Sequence, residues 1–193
     1  VTSGVSDDTA AVGNITLTAN EINANCTTTP FVVNFGTANG VAGTSTAGQL
    51  IMTADGTGTG GDIYITSANP LTTGAVSTGA GALINIATTG TSALTVAGTM
   101  STALNGAGNS GGITLATADG NVVVNGAVST GGATVASTSS ATAQSGAIVV
   151  TAGTNGTISG TGSLATGAAA VTSGVSGDTA AVGNITLTAN EIN

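Results

Sequence analysis

Residues 13–20 read Gly-Asn-Ile-Thr-Leu-Thr-Ala-Asn, and residues 183–190 read the same. From Ile15 to Thr18 apolar and polar side chains alternate with a period of two, so an extended chain carries all the apolar ones on one face. Branched Ile and Thr side chains fit such a pleated surface. The stretch belongs to a longer recurrence. VTSGVSDDTAAVGNITLTANEIN, residues 1–23, returns as residues 171–193 with one difference, Asp7 against Gly177. Near identity at an offset of 170 residues marks residues 1–170 as one complete tandem unit and 171–193 as the start of the next. Architectures that repeat in this way grow in one dimension.

The same short form, a small residue followed by apolar–x–apolar, recurs inside the unit. It occurs at Gly61-Asp62-Ile63-Tyr64-Ile65, Ala82-Leu83-Ile84-Asn85-Ile86, Gly112-Ile113-Thr114-Leu115 and Gly146-Ala147-Ile148-Val149-Val150. Counted from Ile15 to Ile185, successive first apolar residues are 48, 21, 29, 35 and 37 residues apart. A second element, Gly-Ala-Val-Ser-Thr, appears at residues 74–78 and 126–130, with variants at Ala93-Leu94-Thr95-Val96 and Phe31-Val32-Val33-Asn34-Phe35. Glycines cluster between the runs, as in Gly56-Thr57-Gly58-Thr59-Gly60-Gly61, where tight corners need them. No window carries a helical stripe.

Short strands, small aliphatic interiors and a unit that must tile point to an all-β fold, a parallel β-helix or β-solenoid with irregular coil lengths, ahead of a sandwich or barrel. The predicted core ladder is Ile15, Leu17, Ile63, Ile65, Ile84, Ile86, Ile113, Leu115, Ile148, Val150, Ile185 and Leu187. Coils of ~20–25 residues at ~4.8 Å spacing predict about seven to nine coils and a unit about 35–45 Å long, with extra residues leaving as loops on one side. Asn14, Asn20, Asn184 and Asn190 are candidates for asparagine ladders at the turns or for ordinary turn residues.

Gly13–Asn20 and its copy, each followed by Glu-Ile-Asn, together with the Gly-Ala-Val-Ser-Thr segments, resemble the repeats of filamentous-haemagglutinin-type bacterial surface proteins. The resemblance implies a right-handed parallel β-helix exported to form long surface fibres. The chain departs from that family in having no Lys or Arg.

Composition narrows the function. The chain has eight acids, no Lys, Arg or His, and a formal net charge of -8. Without a cation it cannot neutralise phosphates, which excludes ordinary nucleic-acid binding, and an anionic membrane surface repels it. No apolar run is long enough for a membrane span. The start at Val1 reads as a piece of a larger or processed polypeptide. Absent His and Lys remove imidazole bases, Schiff bases and His metal sites. Carboxylates are the remaining acid–base groups, and with one Tyr and no cation to hold a sugar the reading is not an enzyme, although polysaccharide-cleaving β-helices exist.

No cofactor is expected, with calcium at Asp7, Asp8 and Asp62 as the alternative to solvated turn acids. The single thiol, Cys26, is either a small buried hydrophobe or an intermolecular crosslink. Thr16–Thr18 and Thr186–Thr188 form Thr-x-Thr pairs of the kind found on ice-binding solenoids. Sequons at Asn14, Asn25, Asn155 and Asn184 allow glycans. The expected role is a structural repeat of an extracellular or cell-surface fibre, stalk or coat whose partners are copies of itself. The alternative is an adhesin module binding glycans or surfaces through loops, above all around Cys26, Pro30, Phe31 and Phe35.

Overall fold

The computed structural model describes residues 2–3, 9–11, 13–19, 22–23, 39–40, 44–46, 48–106, 108–136, 141–172 and 177–193. Every strand pairing in it is parallel. Each strand pairs with one from the next turn of the chain, and the sheets stack around one core. The fold is a parallel β-solenoid, and the sheets do not close into a barrel. Among the described residues no helix is long and apolar enough to cross a membrane.

Three sides recur. The first is a six-stranded sheet. Its strands Ile22–Asn23, Ile63–Ser67, Ile84–Thr88, Ile113–Thr117, Ile148–Thr151 and Ile185–Thr188 lie in register with an isoleucine at every first position. The second side stacks Leu71, Leu94, Val122, Ile158 and Ile192. The third stacks Leu17, Met52, Val76, Met100, Val128 and Leu164. One long strand, Leu71–Ala80, bends through both the second and the third side and joins them into one sheet.

The period-two reading explains which residues point inward. In Ile84–Thr88 and Ile113–Thr117 first, third and fifth residues are buried and the others half-buried. Ile63, Ile84, Ile113 and Ile148 are at most 1% exposed, and burying each stabilises the fold by about 1.5–3 kcal/mol. Ile65, Ile86, Leu115 and Val150 fill the adjoining row.

Two expectations are corrected. Ile15 and Leu17 do not lie beneath Ile63. Their strand, Ile15–Ala19, pairs with Leu50–Ala54 and belongs to the third side, while Ile22 takes the place below Ile63. Which side a strand joins depends on the coil it stacks on, and a local motif does not encode that. The coils are also fewer and larger than expected. The first side has six rungs, and its last four intervals are 21, 29, 35 and 37 residues. Part of the extra length is built into the solenoid. It forms further stacked strands, Ala133–Val135 on Ala169–Val171 and Thr142–Gln144 on Thr179–Ala181. From Ile15 to Ile185 the chain advances five turns and one side, about 26 Å at the usual strand spacing.

Two columns of glycine let the coils approach at their corners. A Cβ on Gly126 would overlap the carbonyl oxygen of Gly98, and one on Gly162 that of Gly126. The column Gly111, Gly146 and Gly183 behaves alike, each meeting the carbonyl of the residue below it, beginning with Ala82.

Candidate functional site

Many of the polar side chains join successive coils. An Asn or Asp often stands immediately before a strand and accepts a backbone N–H from the neighbouring coil. Asn14 Oδ1 accepts from Gln49 N–H at 3.0 Å, and Asn121 Oδ1 from Thr157 N–H at 2.9 Å. Asp62, which is 4% exposed, accepts from Leu83 N–H at 2.9 Å. Asp178 Oδ1 accepts from Ala141 N–H at 2.9 Å. The bonds to Asp62 and Asp178 tie a carboxylate to a backbone dipole and are stronger than the neutral ones to Asn14 and Asn121.

Of the calcium candidates, Asp62 accepts the Leu83 N–H through Oδ1, and Asp7 and Asp8 lie outside the described residues. Asp178, the repeat counterpart of Asp8, serves as an inter-coil acceptor. Among the described residues no three His, Cys, Asp or Glu side chains gather as a metal site. Cys26, Pro30, Phe31, Phe35, Asn20 and Asn25 also fall outside the described residues.

The asparagines do not form one column. Asn14 bonds to Gln49 through its side chain. Asn184 accepts Ile148 N–H, and Asn190 donates to Gly156, both through the backbone. Asn14, Asn155 and Asn184, of the sequons, are exposed, and Asn155 Nδ2 donates to Asp119. The Thr-x-Thr pairs face solvent. Their rows are mixed, however: Thr186 follows Tyr64, Asn85, Thr114 and Val149 up the first side. A more regular hydroxyl row, Thr18, Thr53, Ser77, Ser101 and Ser129, runs along the third side, and Thr18 is its one member from a Thr-x-Thr pair.

Sequence reading missed a set of buried hydroxyls at the ends of strands. Thr102 Oγ1 donates to Gly111 O and accepts Gly131 N–H. Thr117 does the same between Gly120 O and Gly153 N–H, and Thr130 between Gly146 O and Gly167 N–H. Each closes a corner of its own coil and clamps the next. The signal available in the sequence was a threonine at the inward position of an alternating strand.

Among the described residues, Ile185–Thr188 pairs with Ile148–Thr151, Glu191–Ile192 with Thr157–Ser159 and Thr179–Ala181 with Thr142–Gln144. Val182, Ile185, Leu187 and Ile192 are 57%, 44%, 36% and 53% exposed. Ile185 and Leu187 thus continue the predicted ladder in register without being buried.

No protein-family model, no curated protein and no solved structure matches the chain.

Proposed function

We propose that the chain is a structural repeat of an extracellular or cell-surface fibre, stalk or coat, similar to the filamentous-haemagglutinin type, in which units join end to end by continuing the β ladders. The observation that carries this reading is the recurrence of residues 1–23 as residues 171–193, with strands of both copies in parallel ladders of one solenoid. Repeats of this kind stack on one another along a single axis. The backbone then forms the mechanical link along the axis, and the acidic, cation-free surface keeps neighbouring fibres apart through like charge.

Electron microscopy of the purified chain tests this. Thin unbranched fibres with an axial advance of about 26 Å per chain are expected. Particles that stay globular and monomeric at high concentration contradict it.

A further inference from the structure

Asparagine is a thermolabile side chain, and most of all before glycine. There the following backbone nitrogen can attack the side-chain amide, with no Cβ to obstruct the approach. The chain has this pair at Asn39-Gly40, Asn105-Gly106, Asn125-Gly126 and Asn155-Gly156. The attack needs a glycine nitrogen that is unbonded and has room to turn. Asn39–Gly40 forms a strand on Thr2–Ser3. The structure separates the other three pairs on both counts.

Gly126 N–H donates to Val96 O at 3.0 Å, and Gly156 N–H to Gly153 O at 2.7 Å. Both glycines also press on the coil below. A Cβ on Gly126 would overlap Gly98 O, and one on Gly156 would overlap Gly120 O. Neither nitrogen can swing toward the preceding side chain without parting two coils. Gly106 differs in each respect. It is exposed, and a Cβ there would meet nothing within 4 Å. Among the described residues its N–H has no acceptor.

Asn105, by contrast, is held in place. Its N–H donates to Gly132 O at 2.9 Å, and its carbonyl accepts Thr134 N–H at 2.8 Å. Its Nδ2 donates to Asn109 O at 2.7 Å. A fixed amide is therefore followed by a nitrogen that is free to move.

We propose that Asn105 is a site of spontaneous deamidation in the folded solenoid. Gly106 N forms a bond to Asn105 Cγ, the Cγ–Nδ2 bond breaks, and the proton of Gly106 N leaves with Nδ2 as ammonia. The cyclic imide then takes up one water. Opening at Cγ gives aspartate, and opening at the main-chain carbonyl carbon gives isoaspartate. Either product replaces the donor to Asn109 O by a carboxylate. Isoaspartate also routes the main chain through Cβ and Cγ. The carbonyl that accepts Thr134 N–H becomes a free carboxylate on a backbone longer by one carbon. The parallel bridge between Asn105 and Ala133, which ties this coil to the strand Ala133–Val135, is then lost.

Incubation of the intact chain at mildly alkaline pH, followed by pepsin digestion and mass spectrometry, tests the site. Conversion of Asn105 to aspartate and isoaspartate is expected, with Asn125 and Asn155 keeping their amides. In denaturant all three are expected to convert, because the coils no longer hold the glycines. Gly106→Ala, for which there is room, is expected to suppress conversion at Asn105 and to leave the denaturation midpoint unchanged. Conversion of Asn125 or Asn155 as fast as Asn105 in the folded chain overturns the proposal. So does an Asn105 amide that survives in the folded chain while the unfolded chain loses it. The isoaspartyl chain is expected to exchange the Thr134 amide faster, and exchange as slow as before conversion overturns the loss of the bridge.

Discussion

Thr102 accepts the backbone N–H of Gly131, 29 residues further along the chain, at 3.0 Å. The same hydroxyl donates to Gly111 O at 2.9 Å, so one buried oxygen fastens two successive coils. Along the solenoid, cohesion thus depends on corner hydroxyls as well as on aliphatic rows.

Replacing Thr102 by Val keeps the shape and removes both bonds. The Gly131 N–H is then left without its acceptor, a loss of about 1–3 kcal/mol. A lower denaturant midpoint for Thr102→Val, with no gain in self-association, is the expected result.

Thr73 makes the opposite case. It lies fully buried between Leu50 and Val96, and among the described residues its Oγ1 is the buried side-chain oxygen without a hydrogen-bond partner. Thr73→Val removes an unmet polar group from an apolar row. It is expected to raise stability by about 1 kcal/mol, read from the same denaturation curve.

Gly126→Ala places a methyl group on the carbonyl of Gly98, which is backbone and cannot turn aside. The coils must separate at that corner, at a loss of about 1–3 kcal/mol. Alanine at Gly13, where a Cβ meets nothing within 4 Å, is the control and should leave the midpoint almost unchanged.

Gly177 is the position at which the two copies differ, and its φ is +94°. L-residues rarely adopt that conformation. Gly177→Asp makes the second copy identical to the first and is expected to loosen the last coil, with faster amide exchange at Thr179, whose N–H donates to Ala141 O. Unchanged exchange there would show that the loop accepts aspartate without strain.

The legibility of this fold follows from where its information is stored. The first side could be read because Ile63–Ile65, Ile84–Ile86 and Ile148–Val150 repeat a strong alternation between small residues. The side taken by Ile15 could not, since Ile-Thr-Leu-Thr has the same alternation in both copies and only the stacking partner distinguishes them. Strands such as Thr142–Gln144 and Thr179–Ala181 were invisible for another reason. They carry Ala, Thr and Gln with little apolar contrast, and owe their form to pairing with each other. The acid positions illustrate the same limit. Asp62 and Asn14 precede their strands by one residue, a spacing plain in the sequence, but their acceptor role appears only once Leu83 and Gln49 are brought alongside.

Proton NMR between the isoleucines of the first side is the most direct check on the stacking itself. Parallel, in-register pairing of Ile63 with Ile84 and of Ile113 with Ile148 predicts cross-coil contacts between α-protons and amide protons at these sites, with no close α-proton pairs between the strands. Strong α-proton to α-proton contacts between them would mean antiparallel neighbours and would contradict the solenoid.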